Sequence, residues 1–395
     1  MSESTTVASG KSASNFVSIS QALNGHNNSL GIIRLILASL VIVDHAFPLG
    51  GFGKDPFWAL TRGQASLGSL AVAGFFAVSG YLIAKSGMSG DVVQFMWRRT
   101  IRIFPAYWLV LLVTAFLVAP MIWVAGGQQL LDYFSFAPNG PVYYFTANWT
   151  LSIGTYGIYD LLAATTPYGR EVGASAFNGS LWTLIYEWRA YLIIAALVAF
   201  GLLTRARIIV PMLAIFFFIL QLLAALNWDI VVALVPTFMA DQYMITLGLT
   251  FLVGSVFAVY SKQVVFDDRL GIFTGLLALA TLRFGGFSTM GTIAAVYFIL
   301  YLAARLPKSF QWIGQKNDYS YGVYIYGFLV QQVLAFMGVY QWGFFPYVIL
   351  SWIVTMGCAW LSWHILEKHA LSLKDWGPGR GVRFWYERIR NGKKK

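Results

Sequence analysis

The sequence predicts an all-α integral membrane protein, built as a single bundle of about ten transmembrane helices. Hydrophobic residues make up 58% of the 395 residues and charged residues only 11%, whereas soluble proteins have about 45–50% and about 25%. The mean hydropathy is +0.66. Charged residues are concentrated between apolar stretches of about 17–25 residues, the length that a helix needs to cross a bilayer. This composition excludes an ordinary soluble protein, and we expect no nucleic-acid partner.

Ten apolar segments of helical length follow an N-terminal segment, residues 1–29, that is rich in Ser, Thr and Asn. This segment has no apolar run like a signal-peptide core, so we expect a disordered, uncleaved tail. The ten helices are expected at about 30 to 49, 65 to 86, 97 to 121, 181 to 203, 208 to 226, 243 to 260, 270 to 284, 288 to 305, 319 to 338 and 344 to 366. We therefore predict one membrane domain over residues 30–367 and a basic tail over residues 368–395.

The longest connection between helices covers about residues 122–180 and is rich in Gly, Pro, Asn and Tyr. We expect it to lie on the extracytoplasmic side. Within it, the stretch LSIGTYGIYDLL, residues 151–162, is expected to form a partly buried helix. Such a segment could gate a site below it.

The positive charges predict the orientation of the chain in the membrane. If the N-terminus is cytoplasmic, most of the 27 lysines and arginines fall on the cytoplasmic side, where Lys and Arg are enriched in membrane proteins. We therefore predict a multi-pass protein of the inner (plasma) membrane, in contact with lipids and with both termini cytoplasmic. The single cysteine, Cys358, excludes an intramolecular disulfide and a thiolate metal cluster, and we expect no metal.

The first helix carries Arg34, Asp44 and His45. Ionisable groups within a span are costly, so each is a candidate functional residue. The R-x10-H spacing places Arg34 and His45 on one helix face, roughly 16 Å apart along the axis. Asp44 points about 100° away from His45 and is a poor partner for its imidazole. The alternative for His45 is structural, a hydrogen bond to a neighbouring helix.

The third helix begins with three clustered arginines, Arg98, Arg99 and Arg102. Their guanidinium groups project around one end of the helix, and the rigid fork of donors on each matches phosphate oxygens. The cluster therefore suits a cytoplasmic donor that carries several phosphates. The alternative is that these arginines anchor the helix at the membrane surface. No P-loop or Rossmann glycine motif is present.

Polar residues on the fourth helix follow a helical spacing: Ser180, Thr183, Glu187 and Tyr191. They form one polar face opposite an apolar one. Glu187 could pair structurally with Arg34, or with Arg189 of another protomer, and a homo-oligomer is compatible with the sequence. Alternatively, Glu187 could orient a catalytic imidazole or bind an acceptor sugar. On the second helix, Ser79 lies among small residues and is more typical of close helix packing than of a nucleophile.

Six segments together resemble the acyltransferase 3 family of transmembrane acyltransferases. In chain order they are R-x10-H, FFAVSGYLI, RRTIRIFPAYW, SLWTLIYEWRAYL, SYGVYIY and SWHILEKHAL, between about residues 30 and 370. The sequence departs from the family pattern at Gly327, where the family often has a histidine, and at His369, where it often has a proline.

The resemblance implies a ten-helix domain that moves an acyl group, usually acetyl, from cytoplasmic acyl-CoA to a hydroxyl across the membrane. The implied acceptor is a glycan or a lipid-linked glycan. By that likeness His45 is the essential histidine, Arg34 is its paired arginine, and Arg99 and Arg102 are the RxxR pair. Four residues of the matching segments are candidates for substrate contact or packing: Ser79, Tyr81, Trp182 and Tyr191.

The residue chemistry is compatible with acyl transfer, because histidine can act as a base for a hydroxyl or carry the acyl group. His45 is the best placed histidine for this role. Two other classes stay open from the sequence. The first is a proton-coupled secondary transporter, with Asp44, His45 and Glu187 as a relay and Arg34 as a substrate anchor. The second is the other fold of membrane-bound O-acyltransferases, whose histidine usually lies late in the chain.

Overall fold

The computed structural model describes residues 17–25, 28–134, 137–237, 239–314 and 316–392. Over these ranges the protein is all-helical, and the only β-type pairings are two isolated bridges. The long helices within these ranges are α1 (Leu30–Gly50), α2 (Leu67–Gly87), α3 (Val92–Val113), α4 (Leu184–Ala199), α5 (Ile209–Leu226), α6 (Gln242–Val259), α7 (Asp268–Phe284), α8 (Thr292–Arg305), α9 (Ser320–Phe336), α10 (Phe344–Ser362) and α11 (Gly381–Gly392).

Several long helices have extensions or short neighbours. α3 and α10 each continue into a π-helical turn, at Thr114–Val118 and at Trp363–Glu367. A third π-helical turn, Phe287–Gly291, precedes α8. A 3-10 turn, Gly179–Thr183, precedes α4. Short α-helices occur at Ile19–Ala22, Pro56–Leu60, Ala119–Ala125, Leu130–Tyr133, Pro141–Asn148, Pro167–Val172, Leu202–Arg205, Trp228–Leu234 and Lys368–Ser372.

Eight of the described helices, α1 to α6, α8 and α10 with their extensions, are long and apolar enough to cross a membrane. Helices are present at all ten predicted places, but α7 and α9 have 17 residues each. That length is the lower limit of the about 17–25 residues of a spanning helix. The prediction of an all-helical, multi-pass membrane protein is therefore confirmed, and the count of ten spanning helices stays a prediction.

Close packing of α2 against α6 depends on two glycines. A Cβ at Gly80 would lie 2.0 Å from the Phe251 carbonyl oxygen, and one at Gly254 would lie 2.3 Å from the Ala77 carbonyl oxygen. The Ser255 hydroxyl donates to the Gly80 carbonyl at 3.2 Å. Small residues at such crossings let two backbones approach, which is how membrane helices gain contact without a hydrophobic driving force.

α9 lies at the centre of the helix packing. It contacts α1 and α10 along its length, and nearly all of its residues from Ser320 to Gln332 are buried. The Gln331 side chain donates to the Ile42 carbonyl of α1 at 2.8 Å. A buried polar side chain needs such a partner. This bond therefore fixes the position of α9 along the axis of α1.

Two sequence-based boundaries are wrong. α3 begins at Val92, before the predicted position 97, because the Asp91 side chain accepts a bond of 2.9 Å from the Gln94 backbone N–H and caps the helix there. The arginine cluster therefore lies inside the helix and not at its first turn. At the N-terminus, residues 17–25 are not disordered: Ile19 and Leu23 are buried, and the Ile19 N–H donates to the Val264 carbonyl. Residues 1–16, 26 and 27 lie outside the described residues.

The helix predicted at 151–162 is also wrong. The structure has turns there and places helices on either side, at Pro141–Asn148 and Pro167–Val172. The Asn148 side chain accepts from the Gly154 N–H and donates to the Thr155 carbonyl, both at 2.9 Å. These bonds satisfy backbone groups that a helix would have paired, and the segment folds into a compact loop instead.

Candidate functional site

Arg34 of α1 and Arg102 of α3 meet at one carboxylate in the loop before α9. Each guanidinium contacts Oδ2 of Asp318 at 2.6 Å. The second oxygen of Asp318 accepts from the Ser320 hydroxyl at 2.6 Å and from its backbone N–H at 3.3 Å. Asp318 therefore joins α1 and α3 to Ser320, the first residue of α9.

The electrostatics of this cluster favour an ionised Asp318. Burial alone would raise the pKa of Asp318, but Arg34 and Arg102 more than offset it, so the pKa lies well below its usual range. Arg102 also lies 3.6 Å from Oε2 of the buried Glu367, whose other oxygen accepts from Ser362 at 2.9 Å. Arg102 is thus held by two carboxylates and is a structural part of the cluster.

A cavity of about 100 Å³, here called the basic cavity, lies near the N-terminal end of α1. Three arginines and one glutamate are its charged lining residues, namely Arg34, Arg99, Arg102 and Glu187. Asp318 and Glu367 offset the charges of Arg34 and Arg102, so Arg99 is the lining arginine whose forked donors are most available to a phosphate group.

Arg99 differs from its two neighbours in the basic cavity. Its guanidinium lies over the rings of Phe95, at 5.8 Å, and Tyr191, at 6.0 Å. Among the described residues no carboxylate lies within ion-pair distance of it, and its buried Nε has no hydrogen-bond partner. Arg98, by contrast, does not line the cavity and pairs with the exposed Asp375 at 2.6 Å.

Glu187 does not pair with Arg34, which binds Asp318, and a pair with Arg189 of another protomer stays a prediction. Its Oε1 accepts from the Tyr191 hydroxyl and, at 3.2 Å, from the Ser79 hydroxyl. Arg189 lies instead over the Tyr186 ring at 5.4 Å. The structure therefore brings Ser79, Glu187 and Tyr191 together on one wall of the basic cavity, through bonds between α2 and α4.

A second space, the central cavity, has a volume of about 560 Å³ and is lined by Asp44, His45, Ser180 and Trp182 among others. Val72 and Tyr324 border both this cavity and the basic cavity. The Tyr324 hydroxyl is bonded to the Thr183 hydroxyl at 2.5 Å and donates to the Ser180 carbonyl at 3.0 Å. Tyr324 thus lies at the border of the two spaces, and its hydroxyl is bonded to the turn before α4.

A third space, the loop cavity, has a volume of about 700 Å³ and lies near the C-terminal end of α1. Its wall is formed mainly by residues between 139 and 182, together with Phe328 of α9. His45 and Trp182 line both the loop cavity and the central cavity. The three spaces therefore follow one another along α1, from Arg34 to His45.

His45 stands at the junction of the central cavity and the loop cavity. Its ring meets the Phe328 ring edge-on at 5.2 Å, and its buried Nδ1 has no hydrogen-bond partner among the described residues. Asp44 packs against α2, where its Oδ2 would lie 2.4 Å from a Cβ at Gly68. An imidazole that no neighbouring side chain engages is free to bond a substrate.

The remaining predicted residues separate into two groups. Trp182 lines the same two cavities as His45, and its ring is tilted by 58° to the Tyr243 ring at a centroid distance of 4.4 Å. Tyr81 is buried away from the three cavities; Lys85 lies over its ring at 5.7 Å, and its hydroxyl has no partner among the described residues. Packing between α2 and its neighbours is the role that this position supports.

Sequence reasoning missed Asp318 and Tyr324. Asp318 is separated by 284 positions from Arg34, and periodicity carries no information about such a contact. A weak signal existed for Tyr324, because Tyr321 and Tyr324 are three apart in SYGVYIY and so share a helix face. In the part of the chain that the structure describes, no cluster of His, Cys, Asp or Glu could hold a metal ion.

Comparison with known proteins gives one family and two relatives. The profile of a family described as an acyltransferase domain, Acyl_transf_3, matches residues 27–364. The chain is similar to an O-acetyl transferase of Shigella phage Sf6, with 29% identity over 351 residues, 88% of this chain and 96% of the relative. It is also similar to nodulation protein 10 of Rhizobium leguminosarum bv. viciae, with 29% identity over 380 residues, 89% of this chain and 95% of the relative. No solved structure matches it significantly.

Proposed function

The chain belongs to the acyltransferase 3 family of membrane acyltransferases, and on that premise we propose that it is an O-acetyltransferase that uses acetyl-CoA. The proposed acceptor is a hydroxyl of a cell-envelope or exported glycan, free or lipid-linked. The acetyl group is carried over from the name of the Sf6 relative, an O-acetyl transferase. Family membership favours group transfer over the transporter that the sequence alone left open.

The observation that carries this proposal is the series of three cavities along α1. The basic cavity presents Arg34, Arg99 and Arg102, whose forked donors suit the phosphates of CoA. His45 lies roughly 16 Å further along the helix axis. The pantetheine arm is an extended chain that carries the thioester away from the phosphates, so it would reach through the central cavity toward His45.

His45 is the proposed catalytic residue because it is the ionisable residue common to the central and loop cavities. As a base, it takes the proton of the acceptor hydroxyl while the hydroxyl oxygen bonds to the acyl carbon. The carbon–sulfur bond breaks, and the CoA sulfur takes up the proton from the imidazolium. The alternative route puts the acyl group on the imidazole first and then on the hydroxyl. The base route and the acyl-histidine route both require the His45 imidazole where the central and loop cavities meet.

In this proposal Glu187 orients side chains of the basic cavity and does not orient the imidazole of His45. Its oxygen is bonded to Ser79 and Tyr191, on the side of Tyr324 away from His45. It would therefore position Arg99, which lies over the Tyr191 ring, for the phosphates of the donor.

The proposed orientation follows the positive-inside bias. The basic cavity would open toward the cytoplasm, from which acetyl-CoA would bind, and about residues 122–180 would lie outside with the acceptor. Both termini would be cytoplasmic.

Mass spectrometry of envelope glycans tests this function. Cells that express the protein should contain a glycan that is heavier by one acetyl group than the same glycan from cells that lack it. The matched control expresses the His45→Ala variant at an equal level in the membrane and should show the unmodified mass. Identical glycan masses in all three strains would contradict the proposal.

A further inference from the structure

The loop cavity has a size and wall suited to a small ligand. Its volume of about 700 Å³ falls in the range of about 300–1,000 Å³ typical of ligand pockets. Five Tyr, Trp and Phe residues contribute to its lining: Tyr156, Tyr159, Tyr168, Trp182 and Phe328. Aromatic rings offer large, flat apolar faces, and the hydroxyl and indole groups add hydrogen-bonding edges.

The charge of this lining differs from that of the basic cavity. Asp160 is the only carboxylate in it, and no lysine or arginine is among its described lining residues. An ionised carboxylate only accepts hydrogen bonds, so Asp160 fits a ligand that donates from hydroxyl groups. Asp160 itself is exposed, but an anionic ligand in this cavity would approach its carboxylate with no lysine or arginine among the described lining residues to offset the repulsion.

The wall of the cavity is fixed to the helices before a ligand arrives. The Tyr107 hydroxyl of α3 donates to the Asn148 carbonyl at 2.5 Å, and the Gln332 side chain of α9 donates to the Ala176 carbonyl at 2.6 Å. Across the loop, the Phe177 N–H donates to the Tyr156 carbonyl at 2.8 Å. A preorganised wall loses little freedom on binding and therefore favours affinity.

We infer that the loop cavity is the acceptor subsite and that it selects an uncharged sugar residue. The apolar face of the sugar ring lies on Tyr168, its hydroxyls donate to Asp160, and the hydroxyl to be acylated points at His45. This inference rests on the proposed acetyltransferase function and adds to it the class of acceptor and the residues that recognise it.

Acceptor kinetics of the purified full chain in lipid nanodiscs test the subsite. The donor is acetyl-CoA, and the acceptors are the methyl glycosides of glucose, galactose and rhamnose, with methyl glucuronide as the anionic counterpart. We expect acetylation of at least one neutral glycoside and at least tenfold lower kcat/KM for the glucuronide. A preference for the glucuronide would overturn the inference.

Two variants separate sugar recognition from donor binding. Asp160→Asn should raise the acceptor KM roughly tenfold or more through the loss of charge-assisted hydrogen bonds, and Tyr168→Leu should raise it about two- to tenfold. The KM for acetyl-CoA should not change in either. Asp132→Asn and Tyr143→Leu are the matched controls, because both side chains are exposed in the same loop outside the cavity. They should behave as wild type.

Failure of the inference and failure of the proposed function give different results. If the wild type acetylates a neutral glycoside but Asp160→Asn and Tyr168→Leu keep the wild-type acceptor KM, the acetyltransferase function stands and the subsite is wrong. If the wild type acetylates none of the four glycosides and no envelope glycan gains an acetyl group in cells, the proposed function itself fails.

Discussion

The Tyr324 hydroxyl lies 2.5 Å from the Thr183 hydroxyl, at the boundary between the basic cavity and the central cavity. Tyr324 is buried, and its ring also meets Phe75 edge-on at 5.7 Å. The proposed path of the acyl group from CoA to His45 must pass this residue. Tyr324 is therefore a candidate barrier between the two spaces.

Removal of the Tyr324 ring should join the two cavities. We consider the ratio of two rates: acetyl-CoA hydrolysis measured without an acceptor, and acetyl transfer measured with one. We expect Tyr324→Ala to raise this ratio at least severalfold, because water can then reach the thioester. Tyr324→Phe keeps the ring and loses only the hydroxyl bonds, so it should stay close to wild type in this ratio. Thiol release and sugar acetylation, measured in parallel on variants with a normal melting transition, check this. An unchanged ratio in Tyr324→Ala would exclude Tyr324 as a barrier.

Arg99 should contribute more to donor binding than Arg98. Arg99 lines the basic cavity without a carboxylate partner among the described residues, whereas Arg98 lies outside it and pairs with Asp375. Arg99→Ala should weaken CoA binding roughly tenfold to hundredfold, the loss expected for a charge-assisted bond. Arg99→Lys should recover only part of it, because the ammonium keeps the charge but not the fork.

Isothermal titration of CoA into nanodisc-embedded variants measures this difference. Arg98→Ala is the control and should bind within about threefold of wild type, since an exposed ion pair contributes about 0–1 kcal/mol. Equal losses in Arg98→Ala and Arg99→Ala would show that the cluster acts through general positive charge and not through the cavity.

Asp318 should stabilise the fold through its two arginines. Asp318→Asn should lower the free energy of unfolding by about 3–5 kcal/mol at pH 7, the usual cost of breaking a buried ion pair. The folded pKa of Asp318 lies below its unfolded value of about 3.9. Its contribution is therefore complete above about pH 4 and is lost as the pH falls toward the folded pKa.

Melting of wild type and Asp318→Asn in detergent at several pH values checks both statements. The difference in melting temperature between wild type and Asp318→Asn should be constant between pH 6 and 8 and should become smaller below about pH 4. A gap that widens on acidification would mean that Asp318 is not ionised in the folded protein.

The sequence is sufficient to locate the ten long apolar helices, but not the short helices around residues 151–162 or the contacts that build the site. Apolar periodicity locates α1 and α9, and the cost of intramembrane charge singles out Arg34 and His45. Pairing between distant loops leaves no local pattern, so Asp318 as the common partner of two arginines is visible only in three dimensions. The same holds for Glu187, whose partners lie on α2 and on its own helix and not on α1.

The orientation of the chain is testable because Cys358 is the only cysteine. In a Cys358→Ser background, single cysteines at Asn139 or Thr165 should react with an impermeant thiol reagent in intact cells. Cysteines at Ser89, Ser309 or Asn391 should react only after the membrane is opened. All five positions are exposed, so accessibility does not limit labelling. Reaction of Asn391→Cys from outside would place the arginines away from cytoplasmic acetyl-CoA and contradict the donor site.

The rate of acetyl transfer by His45→Ala tests the central claim most directly. His45 makes no hydrogen bond with the described residues that the fold would lose, so the variant should insert, melt and bind CoA as wild type does. Transfer to the acceptor should fall about 10²–10⁴-fold, the usual loss when a positioned base is removed. His364→Ala, a histidine outside the three cavities that packs on Trp360, should keep full activity. Transfer by His45→Ala at a tenth of the wild-type rate or more would contradict the account.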